Sequence, residues 1–508
     1  MVKYKIMKNT YFKTLLVFII LSSCSDIDET PYSFFTQENF LKNETELTSQ
    51  ALGLYDFQPN SFFEDQMFNI VTMPSKYFAS RNRNLTASSV IYGNGSSDIS
   101  YEAAWETFYK IVGRANTIIR YAENAEINTS PETINQFKAE AHFFRAYCYF
   151  HLVRIWGNVP LVKEPIESNE PQNINTSNSE VTEIYNLIVN DLQFAAKHLP
   201  LIEWENSPPG RVRAATAIQL LGLVYITMAG KPLEATENYQ NAINTLEELT
   251  QNEITYGVSL LSNWMDNFSL DNKVNSEKLF ALGSTNIAGF GSVLPFRITP
   301  PGQVGYARNG AYQYAVSYEL YELFEEEDIR KQNGFLFSYN LANGNTVTYQ
   351  PDNNSAPRDY GGLNGLSHLK YTDGSALSPI THTNETFYMR YVETFLILAE
   401  AYNEIGNSSK SLENLNKVRS RANASIINVT DQDLLRQEIR NERKRELFHE
   451  FTELYDMRRW GTVEENFINH PLRIRWNPSA VWEERFKISP IPLSEISRNT
   501  NLAQNSGW

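Results

Sequence analysis

The sequence predicts a mainly α-helical protein: a scaffold of tetratricopeptide-like helix pairs with a loop-rich insertion that carries a few short strands. Three observations predict it. There is one long amphipathic helix with clear start and stop signals, there are two helix pairs with matching spacing of small and aromatic residues, and there is a middle segment where helical periodicity gives way to Gly, Asn, Pro, Ser and Tyr.

The long helix is the clearest element. Ser130 is a good N-cap, Pro131 suits the first helical position, where its missing N–H would be unpaired anyway, and Gly157 with Pro160 marks the stop. Between them Ile134, Phe137, Ala141, Phe144, Cys148, Leu152 and Ile155 recur at three- and four-residue steps, which sets them on one face. Similar amphipathic stretches cover residues 101–122, 181–198, 214–229, 233–249, 388–405, 409–422 and 431–460.

Two of these pairs carry the repeat signature. In the first, Ile218, Leu221, Gly222 and Tyr225 are followed by Ala235, Tyr239 and Ala242 with one residue of slip; in the second, Phe395, Leu398, Ala399 and Tyr402 are followed by Ser411, Leu415 and Val418. Small residues let two helices approach closely while aromatics fill the groove against the next pair. Between the pairs, about 250–382, apolar pieces shrink to runs such as Lys278–Leu282 and Thr346–Tyr349, the pattern of loops and short strands.

Composition narrows the function. Of 508 residues 42% are hydrophobic, enough for a packed core and too many for a disordered chain. The 44 basic residues are outnumbered by 59 acidic ones, a net charge of −15 that repels polyanions and argues against nucleic acid as a partner. Two cysteines, Cys24 and Cys148, make neither a disulfide framework nor a four-cysteine zinc site.

The N-terminus carries a processing signal. Lys3, Lys5, Lys8 and Lys13 precede an apolar run, Leu15–Leu21, too short to span a bilayer and followed by Ser22, Ser23 and Cys24. Leu21-Ser22-Ser23-Cys24 resembles the bacterial lipobox, in which the cysteine is acylated and becomes the mature N-terminus. Residues 1–23 are therefore expected to be a lipoprotein signal peptide and Cys24 the lipidation site, with several acyl chains tethering the protein to a membrane without embedding it. The acidic stretch Ser25 to Glu29 is similar to the export signal of surface lipoproteins, and a solvated linker accounts for it equally well.

Motifs for catalysis are incomplete. His449-Glu450-Phe451-Thr452-Glu453 lacks the second histidine of a zinc protease and reads as helix surface with a core phenylalanine. Asp431 and Asp433 lack the glycine and terminal glutamate of a calcium loop and read as a helix cap. Gly289-Phe290-Gly291 has no third glycine and no following helix, and neither a nucleophile elbow nor a phosphate-loop lysine is present. Glu325 to Asp328 reads as a solvated acidic face, and Arg443 to Arg445 as an ion-pair network with Glu442, Glu446 and Asp456. No cofactor, metal or catalytic residue is expected.

Four segments together resemble the SusD/RagB outer-membrane lipoproteins. They are Glu140 to Tyr147 leading through Leu152 to Leu161, Met389 to Ala401, Asn441 to Leu447 with Asp456 to Gly461, and Pro490 to Pro492 with Gln504 and Asn505. The resemblance covers essentially the whole of residues 24–508 as one domain. It implies about four tetratricopeptide-like helix pairs supporting a loop-rich ligand face, and a non-enzymatic protein anchored in the outer membrane and facing the cell exterior. It further implies capture of oligosaccharide or polysaccharide for a SusC-like TonB-dependent transporter, which the protein closes like a lid. Capture of peptides for the same type of transporter, as in RagB, is the alternative, and a surface glycosidase a more distant one.

A glycan site without catalysis needs flat aromatics for the apolar faces of sugars and planar polar groups for their hydroxyls. Two segments interleave these: Lys76 to Asn84, with Tyr77, Phe78, Arg81 and Arg83, and Tyr306 to Tyr314, with Tyr306, Arg308, Tyr312 and Tyr314. Trp264 and Tyr360, in loop-like surroundings, are the remaining candidates. Trp105, Trp156 and Trp460 lie at core spacing and are assigned to the scaffold.

Overall fold

The computed structural model describes residues 41–57, 62–80, 92–93, 95–126, 128–166, 175–202, 210–287, 289–348 and 365–508, all within one compact unit, Leu41–Trp508. Helices α1 (Ile99–Tyr121), α2 (Pro131–Trp156), α3 (Val181–His198), α4 (Ala214–Ala229) and α5 (Asn238–Gln251) each pack on the next, and α6 (Val392–Glu404) and α7 (Ser408–Arg421) form a further pair. The bounds of α2 follow from its ends: the Thr133 amide donates to Ser130 Oγ at 3.1 Å, and Gly157 takes φ 71° just past the last turn. Mainly helical, with small scattered strand pairs, the architecture is the one the periodicity predicts.

The two repeat-like pairs pack against each other. Ile226 of α4 and Ala242, Ile243 and Leu246 of α5 share one buried cluster with Ile397, Leu398, Ala401 and Tyr402 of α6. Gly222 permits the approach, since a Cβ there would come within 2.5 Å of the Leu246 side chain. Ser411 Oγ donates to the Ala399 carbonyl at 2.7 Å across the second pair.

Three predicted helices are shortened or broken. The stretch 233–249 starts only at Asn238, because Glu234 sits at φ 51° and ends the continuity. The start of 388–405 is instead strand β7 (Thr386–Arg390), paired antiparallel with β2 (Lys278–Leu282), both strands buried along nearly their whole length. The stretch 431–460 divides into α8 (Gln432–Leu447) and α9 (Glu453–Trp460), because His449 and Phe451 between them take φ 59° and 60°. Far from being helix surface, His449 is buried and bonded to the imidazole of His368 at 2.7 Å. Asp431 does cap α8, accepting from the amides of Asp433 and Leu434.

The insertion contributes β3 (Tyr314–Ser317) and β6 (Gly365–Leu366), which join β1 (Phe78–Ser80) from the N-terminal part of the chain in a three-stranded sheet of order β1-β3-β6, and a hairpin of β4 (Ser338–Asn340) with β5 (Thr346–Thr348). It is riveted to the helices by a buried ionic network. Arg390 bonds Glu277 at 2.9 Å and Glu450 at 2.8 Å, Arg421 bonds Glu277 and Glu446, and Arg330 bonds Asp328, Glu442 and Glu446. Asp328 is thus fully buried rather than solvated, and Glu325 pairs with Arg419. Arg443 and Arg445 bond Asp456 and Glu442, whereas Glu446 turns to Arg330, Arg390 and Arg421. Burial alone would push the Glu446 carboxyl up, but the surrounding guanidiniums hold it well below the usual carboxylate range.

Candidate functional site

The two aromatic segments singled out in the sequence meet in the three-stranded sheet. Phe78 lies opposite Val316, Ala79 opposite Ala315 and Ser80 opposite Tyr314, and the Ser317 amide donates to the Tyr77 carbonyl at 2.8 Å. The sheet therefore has two distinct ends. One holds Ser80 and the loop 303–313; the other holds Tyr77 and the start of the short helix Tyr318–Tyr321.

The loop end is held by bonds to its backbone, most of them from side chains. Gln303 bridges its own loop, donating to the Ala307 carbonyl at 2.7 Å and accepting from the Tyr306 amide at 3.0 Å. The Asp373 amide donates to the Tyr306 carbonyl at 2.7 Å, and the Arg308 amide donates to His382 Nε2 at 3.1 Å. Left-handed residues at Asn309, Gly310 and Tyr312 turn the chain back, and a Cβ on Gly310 would run into the Pro300 carbonyl. On this fixed backbone Arg308 is exposed and Tyr306 half-buried, so both retain side-chain surface for a ligand.

Other predicted ligand residues are packed away. Tyr312 is fully buried, its hydroxyl donating to the Gly365 carbonyl. Tyr314 stacks on Phe68 with ring centres 3.8 Å apart, and its hydroxyl accepts from Arg297 Nη1 at 2.6 Å and bonds Asp65 at 3.2 Å. Phe78 packs against Phe68 and His449, and Trp264 is fully buried with its indole N–H donating to Glu446 at 3.2 Å. As placed, these four rings offer no open face to a sugar, because each fills a gap between the insertion and the helices. Arg81, Arg83, Tyr360 and Cys24 lie outside the described residues.

At the opposite end a small, half-open cleft of about 40 Å³ runs between Tyr77, Phe78 and Leu320 on one side and Lys444, Leu447, Glu453, Met457 and Trp460 on the other. Lys444 Nζ lies 5.3 Å from the centre of the Tyr77 ring and donates to the amide oxygen of Asn441 at 3.3 Å. Burial, aided by the neighbouring charges of Lys76 and Arg440, pulls its ammonium down to about 8. Glu453 accepts from Thr72 Oγ1 at 3.0 Å and from the His449 amide at 2.9 Å, and burial pushes its carboxyl up to about 7. Sequence reasoning assigned Trp460 to the scaffold, counted Lys444 within the Arg443 to Arg445 ion-pair cluster, and passed over Arg440. The i, i+4 spacing of Arg440 and Lys444 puts them on one helix face, but nothing local links that face to Tyr77, more than three hundred residues earlier.

Among the described residues no group of three histidine, cysteine or acidic side chains could hold a metal ion, and no helix is long and apolar enough to cross a membrane.

Comparison with known proteins adds the lineage. A profile described as "SusD family" matches residues 229–508, and one described as "Starch-binding associating with outer membrane" matches residues 27–226. The SusD-like protein P2 of Formosa agariphila is 26% identical over an alignment spanning 100% of this chain and 99% of that protein. The crystal structure of a SusD homolog from Bacteroides thetaiotaomicron superposes with a TM-score of 0.80 at 19% identity, covering 93% of this chain and 98% of that one. A laminarin-binding SusD-like protein superposes with a TM-score of 0.73 at 24% identity, covering 92% of this chain and all of the other. At these identities the structural matches establish the fold.

Proposed function

The chain belongs to the SusD family, and from that premise we propose that it captures a glycan at the outer-membrane surface and passes it, unaltered, to a SusC-like TonB-dependent transporter. Members of this family are binding proteins without catalysis. The observation that carries the reading is the loop end of the sheet. There Tyr306 and Arg308 are held on a backbone fixed by Gln303, Asp373 and His382, next to the strand that leads into Arg81 and Arg83.

A sugar ring offers an apolar face and a rim of hydroxyls; a tyrosine ring serves the first and a guanidinium the second. Because the loop is ordered beforehand, less conformational entropy is lost on binding. We assign Arg81, Arg83 and Tyr360 to the same ligand by their place in the sequence. The likeness to a laminarin-binding protein favours glycan over peptide as cargo.

In this reading the acyl chains on Cys24 tether the body to the membrane, and the segment behind them keeps its effective concentration high at the transporter while it closes as a lid. The test is to incubate the protein with a panel of oligosaccharides, recover the bound fraction and chromatograph it. Intact glycan supports capture and hand-over, whereas shortened products overturn it. Fractionation of cells carrying Cys24→Ala checks the anchor: loss from the outer membrane is expected, and unchanged retention refutes lipid tethering.

A further inference from the structure

The backbone that presents Arg308 is tied to a single imidazole. His382 is fully buried, and both of its ring nitrogens meet partners of fixed polarity. The Arg308 amide can only donate, so Nε2, 3.1 Å away, carries a lone pair. The Ser292 carbonyl can only accept, so Nδ1, 3.2 Å away, carries the proton. Together the two contacts select one tautomer of the neutral ring. Charging the ring puts a second proton on Nε2, and the Arg308 amide then loses its acceptor.

The ring itself is held from both sides. The Ser292 amide donates to the His382 carbonyl at 2.8 Å, so backbone and side chain of His382 grip the same residue. Ser292 Oγ donates in turn to Glu64 at 2.6 Å, and that carboxylate also accepts from the amides of Val293 and Leu294. On the other side Asp373 accepts from the Thr383 amide and from Ser375 Oγ, each at 2.6 Å, and Lys273 Nζ donates to the Thr383 carbonyl at 2.7 Å. The Arg308 guanidinium, on the loop side, is exposed. Burial pulls the imidazole below its ordinary value of 6.5, against the Ser292 carbonyl, the Asp373 carboxylate and the Pro379 carbonyl, which favour the charged form. The ring is therefore neutral at pH 7 and takes its second proton only in acid. The other anchors of the loop, the Gln303 side chain and the Asp373 amide, do not titrate.

We propose that His382 is a positioning residue for ligand capture, a latch whose neutral ring holds the Arg308 backbone in place and whose protonation releases it. The proposal rests on the glycan reading for what Arg308 touches, whereas the latch belongs to the fold. A released loop must be ordered again on binding, so capture weakens in acid by about three- to tenfold, the weight of one hydrogen bond.

Hydrogen exchange of the purified protein, read by mass spectrometry, tests the latch without a ligand. Corrected for the intrinsic rate, exchange in the peptide carrying the Arg308 amide should quicken by about three- to tenfold between about pH 7.5 and about pH 5, with α2 unchanged. The His382→Gln side chain can accept from Arg308 and donate to Ser292 without titrating, and its exchange should stay slow at both pH values. His382→Phe, which offers no acceptor, should exchange fast at both and decides the matter if His382→Gln does not fold. A level profile in the parent overturns the proposal. So does a parent-like rise in either folded variant, because Glu64 or Asp373 would then be its source. The oligosaccharide panel, repeated at both pH values, reads the consequence: retention should fall in acid for the parent and hold for His382→Gln, and retention by the parent that ignores pH while its loop loosens overturns the positioning role. A panel from which nothing is retained at either pH overturns the glycan reading, and exchange still decides the latch.

Discussion

Arg390 and Glu446 meet at 2.9 Å with both side chains fully buried, joining the end of strand β7 to the last turn of helix α8. Strand β7 leads into the second repeat-like pair and helix α8 into the turn that carries His449 and Glu450. The contact therefore locks the insertion onto the scaffold that positions both ends of the sheet.

Removing one member of this network should be far more damaging than a surface substitution. Arg390→Met leaves Glu277, Glu446 and Glu450 each short of a cation, and a loss of about 3–5 kcal/mol is expected. Urea unfolding followed by circular dichroism measures it, and a loss below about 1 kcal/mol would show that the network is dispensable.

The pH dependence has two limbs of opposite sign. The Glu442 carboxyl is pushed up by burial but held down to about 2 by Arg330, Arg445 and Arg419. Its contribution is therefore complete above the ordinary glutamate value of 4.5 and is lost as the pH falls toward 2. Glu453 is the reverse: with its folded value raised to about 7, stability falls as the pH rises from 4.5 through 7. Glu453→Gln should match the parent at acid pH and exceed it at about pH 8, by at most about 3 kcal/mol. Melting temperature against pH for both proteins gives the answer; parallel curves contradict the assignment.

Gly222 should be intolerant of even one methyl group. Gly222→Ala is expected to cost about 1–3 kcal/mol through contact with Leu246, and Leu246→Ala should relieve most of that cost. A double-mutant cycle by thermal melting detects the coupling, and simple additivity would mean the helices give way instead.

The contrast between α2 and the insertion shows what the sequence could disclose. Ser130, Pro131 and Gly157 specify both ends of α2 through local chemistry, so its bounds were legible to the residue. Strand β7 was not, because its partner Lys278–Leu282 lies about a hundred residues earlier and its own residues continue smoothly into the apolar period of α6. Trp264 looked like a loop tryptophan for the same reason: what encloses it and accepts its N–H, Glu446, is remote in sequence. At the site, the two aromatic clusters were visible as composition. Which rings stay open depends on the register of β1 with β3, and the cleft at Lys444 depends on the break at His449 that turns α9 away from α8.

Tyr314 separates packing from recognition. Tyr314→Phe removes the hydroxyl shared by Arg297 and Asp65 and should lower stability by about 1–2 kcal/mol while leaving glycan affinity as it was. Paired melting and binding measurements check this; a loss of affinity without a loss of stability would return the ring to the ligand site.

The central claim, capture at the loop end of the sheet, is tested most directly by titrating a bound glycan into the parent, Tyr306→Ala and Arg308→Ala proteins in a calorimeter. The account predicts that each substitution weakens binding by about tenfold or more with the melting temperature unchanged. Parent-like affinity in both would contradict it and move the glycan elsewhere on the protein.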